Sequence, residues 1–104
     1  MFYYGLMKPA LKGRGEAYRE RIISLRRHLH QFPEVSGEEH ATSETVQERL
    51  DEHGIPFTEG YAGTGVLGVV DGGHPGMTVA LRADMDALPI QEKTITPSSP
   101  RWRV

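Results

Sequence analysis

Met77-Thr78-Val79-Ala80-Leu81-Arg82-Ala83-Asp84-Met85-Asp86-Ala87-Leu88-Pro89 is an apolar run that closes on two acids and a proline. A short apolar run bounded by turn residues reads as a strand, here residues 77–83. Just upstream, Val66-Leu67-Gly68-Val69-Val70 is almost continuously apolar, a pattern suited to a strand buried on both faces. Asp71-Gly72-Gly73-His74-Pro75-Gly76 lies between the two runs and is dense in turn-forming residues. The two strands and their turn predict a β-hairpin. A further short strand is expected at 57–61, with Gly63 and Gly65 bracketing a turn.

Ahead of the strands the period changes from two to between three and four. Ile22, Leu25, Leu29 and Phe32 fall on one helical face, so a helix is expected from about Glu16 to Phe32. Pro33 stops it, because proline disfavours α geometry in the residue before it. A second helix is expected from Ser36, with Ser36 and Glu39 spaced as a capping box. Ala41, Thr45 or Val46, and Leu50 or Arg49 would form its stripe. Gly54 just after His53 fits a left-handed helix end, and Pro56 forbids continuation. Residues 1–15, with Gly5, Pro9, Gly13 and Gly15, read as a loose tail. Residues 93–104 read as a divergent, disordered end.

The chain has 104 residues, room for one small domain. It is 38% hydrophobic and 25% charged with net charge −2, so it lacks the clustered basic excess of a nucleic-acid binder. No apolar run approaches the roughly 18 residues that span a bilayer. The start has no cationic region ahead of its apolar residues, which makes a cytoplasmic home the default expectation. Without cysteine there is no disulfide, thiolate metal site or thiol nucleophile.

Asp84 and Asp86 are the residues most suited to chemistry. They stand where the apolar strand ends, the place where open α/β sheets bind ligands, and residues two apart on a strand share a face. Such a pair can bind a metal, or one acid can orient a ligand while the other moves protons. A solvated turn with an aspartate cap explains the same spacing. Arg82 beside them needs a carboxylate partner if buried. His28 and His30, two apart on a helix, do not share a face, and His40, His53 and His74 have ordinary structural explanations. Gly63-Thr64-Gly65 and Gly72-Gly73 match no phosphate-binding fingerprint and read as turns.

Three segments together resemble a known family. Arg26-Arg27-His28-Leu29-His30-Gln31-Phe32-Pro33-Glu34, Gly63-Thr64-Gly65-Val66, and Val79 through Ile90 resemble, in order and spacing, the amidohydrolase subgroup of the M20 metallopeptidases. That subgroup includes hippurate hydrolases and N-acyl-amino-acid amidohydrolases. The resemblance spans roughly residues 18–94. It implies an α/β fold: the amino-terminal part of a zinc-peptidase-like catalytic domain, truncated, with two helices followed by about three strands including a β-hairpin. The partial catalytic domain would run over 16–92.

The resemblance also implies hydrolysis of the amide bond of N-acyl amino acids by water activated on divalent metal (zinc, manganese or cobalt). In related M20 peptidases the position of Asp84 is a metal-binding histidine, and that of Asp86 an aspartate that orients it; in this subgroup the first is already an aspartate. Asp84 and Asp86 are thus the catalytic candidates carried over, and no residue is carried over as a metal ligand. The family's later cysteine, histidine and glutamate positions have no counterpart here. Residues 94–104 begin like the family's next loop and then diverge, as a frameshift or premature stop would leave them. The chain alone is therefore expected to bind no metal and to be inactive. The rival expectation is a non-catalytic partner-binding module, or half of a split amidohydrolase awaiting a complementing fragment.

Overall fold

The computed structural model describes residues 2–100, with side chains from residue 10 onward. Two helices, α1 (Phe2–Gln31) and α2 (His40–Glu52), precede an antiparallel hairpin of β1 (Phe57–Tyr61) and β2 (Gly65–Gly68). The architecture is α/β, as the sequence predicts.

α1 begins at Phe2, so residues 2–15 are helical where the sequence predicts a loose tail. Ala10, Leu11, Lys12 and Arg14 favour the extension, and adding to a nucleated helix costs little per residue, whereas Gly5, Pro9, Gly13 and Gly15 oppose it; local propensity alone does not account for the helix here. The stripe expected on α1 is only half covered: Leu25 and Leu29 are half-buried, whereas Ile22 and Phe32 are exposed. The helix stops before Pro33 as expected.

α2 starts at His40, four residues later than predicted, and the Ser36–Glu39 capping box does not form. Its inward face is polar, with Thr42 and Ser43 buried and Ala41 exposed. The far end follows expectation. Gly54 is left-handed (φ 65°). Its amide donates to the Asp51 carbonyl at 2.9 Å, and the Ile55 amide donates to Leu50 at 2.9 Å, a complete Schellman closure.

The hairpin is β1–β2, not the expected pairing of 66–70 with 77–83. Phe57 faces Gly68 and Tyr61 faces Gly65, with a bulge at Gly60 (φ 90°). The Val69 amide still donates to the Pro56 carbonyl at 3.0 Å. Pro56 has no N–H to return, so the ladder ends there. An Asx turn follows, with the Gly73 amide donating to Asp71 Oδ1 at 2.7 Å.

Residues 77–83 belong to no strand, and no described neighbour supplies a ladder for them. The burial expected for these runs is absent: Met77, Val79 and Leu81 are 97%, 82% and 97% exposed. No hydrophobic side chain among the described residues is fully buried. The surface is 9496 Å², against about 5,800 Å² for a compact protein of this mass. The radius of gyration is 16.9 Å, against about 13 Å for a compact domain of this length.

Residues 92–98 lie against the end of α1. His30 Nε2 donates to Glu92 Oε1 at 3.1 Å, His30 Nδ1 lies 3.1 Å from Ser98 Oγ, and Gln31 Nε2 donates to the Pro97 carbonyl at 3.5 Å. Of the expected tail, residues 101–104 lie outside the described residues. No described helix is long and apolar enough to cross a membrane.

Candidate active site

Four pieces of chain meet at the start of α2: the linker after α1, the first turn of α2, the hairpin turn and residues 82–88. Two glutamates organise the meeting. Glu34 Oε1 accepts from the Thr42 amide and the Thr42 hydroxyl, both at 2.6 Å, and Oε2 accepts from the Ala41 amide at 3.1 Å. A carboxylate from outside the helix thus satisfies the open amides of its first turn, where the helix dipole favours negative charge. This is why the predicted capping box is unnecessary. Burial pushes the Glu34 carboxyl up, but the Thr42 hydroxyl and amide, the Ala41 amide and nearby His40 outweigh it and hold it below the ordinary glutamate value.

Glu39 is freed for a different task. It is 7% exposed, and its Oε2 accepts from the Gly37 amide at 2.9 Å and from the hydroxyl of buried Thr64 at 2.8 Å. Its own amide, the Thr64 hydroxyl and the Gly37 amide hold its carboxyl below the usual range. Glu39 therefore ties the hairpin turn to the entry of α2.

The segment bearing the predicted acids joins the same place. Val35 and Ala87 form a parallel bridge, and the Ala87 amide donates to the Glu34 carbonyl at 2.8 Å. Ser36, Glu39, Arg82, Asp84, Met85 and Asp86 then line one open hollow. Asp84 and Asp86 are exposed, whereas Met85 and Ala87 between and after them are half-buried. Arg82 Nε donates to Asp84 Oδ1 at 3.0 Å, and Arg82 is itself 90% exposed, so the buried arginine considered from the sequence is not found. Both acids line this one hollow, but they leave a segment that belongs to no strand and not the end of a central strand.

Other predicted candidates stay apart from this hollow. His28 packs on Phe32 with ring centres 5.1 Å apart, His40 pairs with Glu38 at 3.4 Å, and His53 donates from Nδ1 to the Arg49 carbonyl at 2.8 Å. Among the described residues no group of three or more histidine, aspartate or glutamate side chains is arranged to hold a metal ion. The residues present therefore do not fit a metal centre by themselves. Glu34 and Glu39 are the organisers that periodicity missed. Glu34 follows the helix-stopping Pro33, and Glu39 was absorbed into a spacing motif that does not form.

No protein-family model matches the chain, and no solved structure does. Curated proteins do. Thermostable carboxypeptidase 1 of Saccharolobus solfataricus is 50% identical over 74 residues, covering 70% of this chain and 19% of that protein. N-acetyl-L-cysteine deacetylase of Bacillus subtilis is 46% identical over 78 residues, covering 75% and 19%. N-acyl-L-amino acid amidohydrolase of Geobacillus stearothermophilus is 40% identical over 88 residues, covering 85% and 24%. The chain spans about a fifth of the length of these relatives. Over about three-quarters of its length it is a homologue of the amidohydrolases and carboxypeptidases of the M20 type, and it is a fragment relative to them.

Proposed function

We propose that this chain carries one rim of an amide-hydrolysing site for N-acyl amino acids, with Asp84 and Asp86 as its catalytic acids, and that it does not turn over substrate alone. The observation that carries this reading is the seating of the Asp84–Asp86 segment against the entry of α2 in a homologue of amidohydrolases. Relatives named as an N-acyl-L-amino acid amidohydrolase and an N-acetyl-L-cysteine deacetylase support the substrate class. Two neighbouring carboxylates can orient a polar ligand and pass a proton. They do not complete a metal-ligand set, so no step in this chain is routed through zinc, manganese or cobalt.

A second reading, a partner-binding half of a split amidohydrolase, is favoured by the bare apolar segment at Met77, Val79 and Leu81. An extended segment without a ladder partner recruits another strand.

The test is hydrolysis of N-acetyl- and N-benzoyl-amino acids with added manganese. The pure 104-residue chain should give no turnover. Mixed with a polypeptide covering the remaining length of an M20-type relative, it should give turnover that Asp84→Asn and Asp86→Asn each reduce. Turnover by the chain alone would overturn its incompleteness; indifference to both substitutions would overturn the site.

A further inference from the structure

We infer that Glu34 is the positioning residue of the acid rim, setting which face of residues 84–87 presents its side chains to the hollow. The inference rests on the amide-hydrolysis reading of that rim and names the residue that holds it. Glu34 is bound at both of its ends. Its carboxylate takes three donors from Ala41 and Thr42, which fixes it to the first turn of α2. Its main-chain carbonyl takes the Ala87 amide at 2.8 Å, and the next residue, Val35, bridges to Ala87.

The consequence is a matter of register. Side chains along an extended segment alternate between two faces. With Ala87 pinned, Met85 and Ala87 are half-buried while Asp84 and Asp86 are exposed, and both acids, with Met85 between them, line the hollow beside Ser36 and Glu39. A slip of one residue would reverse this and turn both acids inward. Among the described residues no regular ladder holds 82–86 in place, so the one bridge at Ala87 fixes the alternation. Glu34 fixes that bridge to a rigid helix.

Amide hydrogen exchange on the 104-residue chain tests this without any catalytic readout. Glu34→Ala should speed exchange at Ala87 by at least about tenfold, the scale of losing a charge-assisted anchor, and should shift the Asp84 and Asp86 signals. Glu34→Gln, which keeps one carbonyl acceptor, should give a smaller change in the same amides. Thr42→Val, which removes only the hydroxyl donor, should do likewise. Gly54 and Ile55, closed by their own bonds at the far end of α2, should exchange as before. Faster exchange at Ala41 and Thr42 with Ala87 unchanged would overturn the inference and leave Glu34 a helix cap. Equal acceleration at Ala87, Gly54 and the hairpin would also overturn it, as a general loss of structure. Either failure leaves the hydrolysis reading to its own assay.

Discussion

Replacing Met77, Val79 and Leu81 together by asparagine should leave this chain as stable as it is now. In a covered strand each of these side chains would contribute roughly 1.5–3 kcal/mol through burial, so the triple change would unfold most small domains. Here Met77 and Leu81 are 97% exposed and Val79 82% exposed, so almost none of that area is removed from water. Scaled by the covered fraction, the total loss is well under about 1 kcal/mol. Urea unfolding followed by circular dichroism should show an unchanged midpoint. Sedimentation should show less self-association, since the chain exposes far more surface than a compact protein of its mass and these residues are part of it. On the proposed reading, the same variant should fail to restore hydrolysis when mixed with the complementing polypeptide. A midpoint lowered by the equivalent of more than about 2 kcal/mol would mean the segment is covered within this chain, and the reasoning from exposure would fall.

Gly65→Ala should disturb the hairpin and Gly68→Ala should not. A β-carbon at Gly65 would lie 2.6 Å from the Tyr61 carbonyl oxygen, which is backbone; at Gly68 it would meet the movable methyl groups of Leu50 at 3.3 Å and Ile55 at 3.5 Å. Cross-strand nuclear Overhauser contacts between Tyr61 and Gly65 should vanish in the first variant and persist at Phe57 and Gly68 in the second. Gly54→Ala should destabilise the end of α2 by about 1 kcal/mol, because an open space does not relieve a φ of 65°, and thermal unfolding would show it. Acid should loosen the junction. Glu34 and Glu39 both have lowered folded values, so their contribution is full above the unfolded glutamate value of about 4.3 and is lost as pH falls through the lowered values. The Thr64 hydroxyl and Ala41 amide signals should report this, and Glu34→Gln with Glu39→Gln should flatten it. His30→Ala should release residues 92–98, seen as faster exchange there with the hairpin unchanged.

Elements whose causes are local were legible in the sequence. Pro33 ends α1, Gly54 ends α2, and Asp71-Gly72-Gly73 turns the chain, each by a property of that residue. What failed were inferences that needed a neighbour. Residues 77–83 have the composition of a central strand, yet composition does not supply the adjacent ladder. Val66 to Val70 reads as one strand, but β2 ends at Gly68 because its partner runs into Pro56. The acids at 84 and 86 were legible as a pair, and their setting was not. Glu34 acts on residues seven and eight positions later and on Ala87, and no periodicity encodes such contacts.

The buried residues among those described are Glu39, Thr42, Ser43 and Thr64, all polar. Hydrogen bonds contribute about 1 kcal/mol each, somewhat more to a carboxylate, whereas ordering a residue's backbone costs about 1–2 kcal/mol. A polar centre of this kind specifies geometry more than it supplies stability. The apolar side chains that would supply stability, on residues 69, 70, 77, 79 and 81, are exposed. The two tasks are thus divided in space: the glutamates fix the angle between hairpin, helix and acid rim, and the bare apolar segment offers the area whose covering would hold that arrangement. On the proposed reading, a complementing polypeptide that covers 77–81 therefore stabilises the rim without touching Asp84 or Asp86. Titrating that polypeptide should slow exchange at Ala87 in step with the return of hydrolysis. Hydrolysis that returns with Ala87 exchange unchanged would separate the rim from the covering of the segment and end this account of how the two are linked.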